Sequence, residues 1–373
     1  MRKSEKTITF VEIFKIDFQE MSTSSPIDAA TVQSTPQSGK KRVVEVDTMR
    51  GIAIILMVLG HSFLIYPIDF FHQPGYYEFH RWFYTFHMGL LFLVAGAVYS
   101  CKDYKSYISK KIHRILVPYI VFDVTSVLFR AFGGMFVHVH ADLHRSAVNL
   151  LLRGGDYWFL YTIFMIFLIY PWLEKFFNKP WKEAVLVLVL LTINDLHPRN
   201  YFLCCYVAKY LPMFIIGKYA MRSIDDFRPT SKMRSLVTIL GMALLWWVTN
   251  YLYNYKQPLA SLCLIRMMSM TVVVFLFACY LKTWAERGSA FSQKTQNLLS
   301  VCSKYSLQIY LFDAFWMVLI RTLLINVLHI THPIVILFFM TTINIALTLA
   351  LCLYVLPKNK WVAWMTGLRS SLK

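Results

Sequence analysis

Ten apolar runs, separated by loops that carry most of the charge, constrain this chain more than any other feature. They cover residues 51–68, 82–100, 115–133, 157–176, 184–196, 203–221, 235–252, 262–281, 305–328 and 333–356. A helix needs about 20 apolar residues to cross a hydrocarbon core roughly 30 Å thick. With 57% hydrophobic residues against 16% charged, the composition excludes a soluble domain. The chain therefore reads as all-α, a polytopic transmembrane helical bundle of about ten spans. The run at 184–196 is the weakest, short enough for a re-entrant or half helix.

The net charge of +18 suggests a nucleic-acid partner until its distribution is read. Alternate loops are basic. One set holds Lys40, Lys41, Arg42 and Arg50, then the cations of 102–114, 175–182, 222–234, 282–304 and 358–373. The opposite loops hold only Arg81, Arg145, Arg153, Arg199 and Lys256. The excess is thus topogenic, no nucleic acid is implied, and the positive-inside rule puts both termini in the cytoplasm. It also requires the short run at 184–196 to cross, since otherwise the basic loop at 222–234 would face outward.

Residues 1–45 lack a continuous apolar stretch, and 21–39 are rich in Ser, Thr, Pro and Gln. This part reads as a disordered cytoplasmic tail and not a signal peptide, with Met21 a second candidate start. The transmembrane domain is expected over 46–357 and a cytoplasmic C-terminal tail over 358–373. The seven cysteines lie in the runs or at their ends and read as small apolar fillers, without disulfide or zinc spacing.

Arg50 and His61 share one face of the first run, VDTMRGIAIILMVLGHSFLIYP. Eleven steps of about 100° return to within roughly 20° of the start and rise about 16 Å. Arg50 would meet the cytoplasm, and His61 would lie about half of the hydrocarbon core away. An ionisable group at that depth points to function, although a topogenic arginine and a packing histidine would give the same spacing. His87 enters from the opposite side to a similar level, as a second functional imidazole or a hydrogen-bonded structural one. Gly89, Ala95, Gly96 and Ala97 would let another helix approach closely.

In YKSYISKKIHRILVPY, Lys110, Lys111 and Arg114 crowd the start of the third run. Lys111 and Arg114, three apart, share a helix face suited to a phosphoanhydride or a 3′-phosphate, although any basic cytoplasmic loop also fits the positive-inside bias. Asp123, Arg130, Lys209, Arg266, Asp313 and Arg321 are further intramembrane charges. The two aspartates are expected to take the buried cations as counter-ions. His138, His140 and His144 make a weak metal signature, and no metal is expected. Asp156 and Trp158, in RGGDYWFLY, are either an aromatic-belt anchor or a sugar-stacking platform with an acid beside it.

These motifs together resemble the acyltransferase-3 family of integral membrane O-acyltransferases, which includes polysaccharide O-acetylases. The Arg50 and His61 spacing, FYTFHMGLLFLVAG and KKIHRILVPY carry the likeness. DYWFLYTIF, YLPMFIIGKYA and YSLQIYLFDAF extend it from about Val43 to Leu356. Gly89 stands where the family usually has Pro, Ala95 where it often has Ser, and Asp313 where a His commonly follows Tyr-Leu. The resemblance implies an acyl-CoA donor, usually acetyl-CoA, on the cytoplasmic side and a glycan hydroxyl as acceptor outside, in a cell-envelope modification. In a bacterium this places the chain in the cytoplasmic membrane. On that reading Arg50, Lys111 and Arg114 hold the CoA phosphates, and His61 acts as general base or acyl carrier. His87 would orient His61, bind the acceptor or stabilise the oxyanion. Asp156 and Trp158 would bind the glycan. The reading from another class is an exporter or flippase of a glycan or lipid-linked sugar, for which inverted repeats and broken helix pairs are expected and not found.

Overall fold

In lipid every backbone polar group must be satisfied within the chain, and a helix does this locally. The computed structural model describes residues 43–63, 70, 73, 75–132, 143–152, 154–196, 204–255 and 259–368, and these form helices joined by turns and short irregular segments, without a strand among them. In order they form α1 (Val44–Ser62), α2 (Tyr76–Tyr84), α3 (His87–Ala97), α4 (Tyr104–Lys111) and α5 (Val117–Phe132). There follow α6 (Leu143–Leu152), α7 (Trp158–Phe176), α8 (Pro180–Leu196), α9 (Cys204–Arg222) and α10 (Lys232–Tyr255). The last are α11 (Ala260–Glu286), α12 (Ala290–Lys304), α13 (Ser306–Arg321), α14 (Pro333–Ala350) and α15 (Lys360–Met365).

Among the described residues, six stretches are long and apolar enough to cross a membrane: Tyr104–Ala131, Trp158–Phe176, Lys232–Asn254, Ala260–Glu286, Ser306–Val327 and Pro333–Lys358. The remaining apolar runs are also helical where described. That at 184–196 lies in a helix of 17 residues, about 26 Å long, which starts at Pro180. The run at 82–100 is not one helix. Thr85 donates its hydroxyl to the Trp82 carbonyl (2.7 Å), Phe86 takes φ −131°, and the chain restarts at His87. A side chain that bonds the preceding turn competes with helix continuation, and here it breaks α2 from α3.

α1 is the central element, packed against α3, α11, α12, α13 and α14. It begins at Val44, slightly before the boundary read from composition. Glu45, 1% exposed, accepts from Arg228 Nε and Lys282 Nζ, each at 3.0 Å, so the start of α1 is fastened to the loop before α10 and to the end of α11. A second buried set joins α7, α8 and α9, where Lys218 Nζ lies 2.9 Å from both Glu174 and Glu183 and donates to the Tyr170 hydroxyl at 2.7 Å. Each carboxylate is paired, as burial requires.

Glycines set the closest crossings. A Cβ on Gly96 of α3 would collide with the Phe214 carbonyl of α9, and one on Gly217 of α9 with the Leu93 carbonyl of α3. Gly51 of α1 lies in the same way on the Leu299 carbonyl of α12. Such small-residue contacts let backbones meet where no hydrophobic force drives helices together. Gly96→Val and Gly217→Val are each expected to cost about 1–3 kcal/mol or more through overpacking. Thermal unfolding in detergent checks this: both midpoints fall, whereas Gly241→Ala, with nothing within 4 Å of its Cβ, leaves the midpoint unchanged or raised.

Candidate active site

His61 lies at the far end of α1 from Glu45, and its Nδ1 is 2.5 Å from Oδ2 of Asp313 on α13. Asp313 is 2% exposed. Its Oδ1 accepts from Asn344 Nδ2 of α14 at 2.8 Å, and the same amide reaches the Asp313 carbonyl at 3.3 Å. Three helices therefore meet in one chain of hydrogen bonds. Ser62, next to His61, adds a contact to Thr341 of α14 (3.3 Å). An imidazole that gives its Nδ1–H to a carboxylate keeps the Nε2 lone pair for another proton, and the carboxylate stabilises the imidazolium that results. The His61 side chain retains 38% of its surface, so the ring is not sealed by its pairing with Asp313. Asp313 was expected to take a buried Lys or Arg as counter-ion. Its partner is instead His61, because α13 packs on α1 with these positions at the same level.

At the opposite end of α1 a cavity of about 610 Å³ opens. Arg50, Lys111, Arg114 and Lys304 line its mouth, while Ile54, Leu91, Phe159, Ile163 and Tyr310 line its depth. No carboxylate lies among the described lining residues. Lys111 sits over the Phe167 ring at 3.7 Å, a cation–π contact that places the ammonium in an apolar wall. Lys111 and Arg114 line one cavity as their spacing led one to expect, although a π-helical turn, Ile112–Leu116, follows Lys111 and carries Arg114. Lys304 was not singled out in the sequence, where it is one more loop cation. Arg50 and Ile54 are one turn apart on α1, and two further turns, about 10 Å, reach His61 along the same face.

A family model described as an acyltransferase domain matches residues 43–353. The chain belongs to the acyltransferase-3 family. No curated protein and no solved structure matches it at a significant level. As an acyltransferase-3 protein with apolar helices of spanning length, it is an integral membrane acyltransferase.

Within this acyltransferase, His87 is 1% exposed and its Nδ1 donates to the Phe83 carbonyl at 3.0 Å, bridging the break between α2 and α3. That bond makes Nε2 the unprotonated nitrogen of a neutral ring. No hydrogen bond joins the two imidazoles, so the orientation of His61 belongs to Asp313 and not to His87. The Tyr84 ring lies between the rings of His80 (4.1 Å) and His87 (4.7 Å) and against Gly60, where a Cβ would meet Tyr84 Cε2 at 2.5 Å. Tyr84, on which His87 packs, thereby lies beside α1 one residue from His61.

Asp156 and Trp158 both have partners within the chain. Arg130 lies 2.6 Å from Asp156 Oδ2, and Ser126 donates to the same oxygen at 2.7 Å. Trp158 stacks on Tyr206 and Tyr210 with ring centroids at 4.9 and 5.8 Å. Asp123, also expected to have a buried cation as counter-ion, accepts instead from the backbone N–H of Asp156 (2.7 Å) and Tyr157 (3.4 Å). Gly155 makes this possible: its φ of +53° suits glycine, and a Cβ there would strike the Asp123 carboxylate. Tyr157 then donates to the Leu311 carbonyl (2.9 Å), two residues before Asp313. Arg266 meets Asn250 (2.9 Å) and the Tyr253 ring. His138 and His140 lie outside the described residues, as does the side chain of His144.

Asp313→Asn is expected to lower the rate of acyl transfer about 10²–10⁴-fold, because the amide no longer stabilises a protonated His61. Initial rates of label transfer check this beside the thermal midpoint, which an equally buried amide should hold near the wild-type value.

Proposed function

We propose that this protein moves an acyl group, acetyl in the simplest case, from cytoplasmic acyl-CoA to a hydroxyl of an extracytoplasmic or lipid-linked glycan, with His61 as the intramembrane base. The observation that carries the reading is the basic cavity without a carboxylate at one end of α1 and the His61–Asp313 pair on the same helix face at the other. Ten spans with both termini in the cytoplasm fit it, because the cations of the mouth then lie on the side that supplies acyl-CoA. Its volume falls within the roughly 300–1,000 Å³ of small-molecule sites.

In this mechanism Arg50, Lys111, Arg114 and Lys304 bind the donor phosphates by charge-assisted hydrogen bonds. The pantetheine arm runs along the apolar wall from Ile54 toward His61. His61 Nε2 takes the proton from the acceptor hydroxyl as its oxygen forms a bond to the thioester carbonyl carbon. The tetrahedral intermediate expels the CoA thiolate, the C–S bond breaks, and the proton passes from Nε2 to sulfur. Asp313 stabilises the imidazolium between these two transfers, and Asn344 holds Asp313. His87 Nε2, unprotonated in the neutral ring, accepts a hydrogen bond and is suited to an acceptor hydroxyl. Asp156 and Trp158, with their partners in the chain, serve a glycan through the loop they hold and not as free ligands.

Labelled acetyl-CoA and the purified protein in detergent test this directly. His61→Ala is expected to abolish turnover and to keep saturable donor binding. Arg50→Ala is expected to weaken CoA binding about ten- to a hundredfold, the loss of one charge-assisted contact, with an effect that shrinks in high salt. A folded wild-type protein that binds no CoA would overturn the donor assignment and favour glycan export.

A further inference from the structure

The cavity at the basic end has a wall that the acyltransferase match does not include. Pro357, Gly367 and Leu368 line it, and all three lie beyond residue 353, where the match ends. The sequence reads 358–373 as a cytoplasmic C-terminal tail; as far as residue 368 this segment is folded and packed. A π-helical turn (Leu351–Val355) and a short 3-10 turn (Leu356–Lys358) redirect the chain after α14. Asn359 caps α15 by accepting from the N–H of Trp361 (2.9 Å) and Val362 (3.3 Å).

α15 closes in a Schellman arrangement. The N–H of Leu368 reaches the Ala363 carbonyl (2.8 Å), that of Gly367 reaches Trp364 (3.1 Å), and Gly367 takes φ +68°. Three contacts seat this element on the body. Gln308 Nε2 donates to the Thr366 carbonyl at 2.9 Å, Leu368 packs with Tyr305, Cys352 and Leu356, and Ala363 is fully buried. A Cβ on Gly367 would lie 2.9 Å from the carbonyl oxygen of Arg114. The segment thus rests directly on the turn that presents Arg114 to the cavity.

We propose that the segment from Leu356 to Leu368 is part of the donor site: it forms the wall of the basic cavity opposite α1, fixes the Arg114 turn, and contacts the phosphorylated end of acyl-CoA. This rests on the donor reading above and adds a recognition element outside the matched domain. The contact is apolar on the segment's side. Leu368 and Pro357 face the ligand stem, while the cations come from α1, α4, the Arg114 turn and α12. A carboxylate introduced at Leu368 would stand among four cations and against the incoming phosphates.

Two measurements on the full-length protein in detergent test this, with CoA as the probe. In hydrogen exchange, saturating CoA is expected to slow exchange both in α1 around Arg50 and in 357–368. In titrations, Leu368→Glu is expected to raise the CoA dissociation constant about tenfold or more through like-charge repulsion, less so at high salt. Trp361→Glu, which places the same charge on the same element but on a side chain that is 76% exposed and does not line the cavity, should change it less than about twofold. Protection in α1 without protection in 357–368 overturns the proposal and leaves the donor reading standing, as does equal affinity of the two variants. Absence of any CoA binding by the wild type overturns the donor reading itself. Exchange on the wild-type chain decides the matter even where Leu368→Glu does not fold.

Discussion

α1 is held by polar contacts at both ends inside an apolar bundle, and the rest of the arrangement depends on this. At one end Glu45, nearly inaccessible, is compensated by Arg228 and Lys282. At the other, His61 meets Asp313 and Ser62 meets Thr341. Breaking a buried pair leaves an uncompensated charge that costs several kcal/mol, so each of these contacts fixes a register between helices as well as a distance. Between them Gly51 lets α1 lie directly on the α12 backbone. A helix held at both ends and along its length is suited to carry a donor site and a reacting group at a set separation.

Electrostatics differ sharply along that helix. The mouth of the cavity gathers four cations without an acid among its described lining residues, a field that attracts a polyanion. Deeper in, the wall turns apolar, and at His61 one imidazole meets one carboxylate. This order suits a long substrate with a charged head and a neutral reactive end. Lys111 links the two regimes, since its ammonium rests on the Phe167 face instead of on a carboxylate and stays available to an anion.

The far side of the bundle reaches the same pair by backbone chemistry. Asp123 gathers the N–H groups at the start of α7, Gly155 supplies the turn, and Tyr157 fastens the α13 backbone beside Asp313. Asp156 therefore serves the loop that it begins, through Arg130 and Ser126. A sequence shows an acid next to two aromatic residues. It does not show that the acid is already paired, because Arg130 and Asp156 are 26 residues apart with α6 between them, and the fold brings them together.

The sequence by itself determined the all-helical class, the apolar helices and the shared face of Arg50 and His61. It also marked Lys111 and Arg114 as partners and Gly96 as a place of close approach. Each of these follows from local chemistry: residue polarity, a helical period of about 3.6, and the missing side chain of glycine. Tertiary structure decided the rest. It chose His61 as the partner of Asp313, brought Asn344 from α14 to hold that carboxylate, added Lys304 to the basic mouth, and folded 356–368 into a wall. These pairings join positions up to 252 residues apart. No periodicity reports them, because in an apolar medium any buried acid accepts whichever donor the helix packing delivers, and that packing is set by shape over the whole bundle.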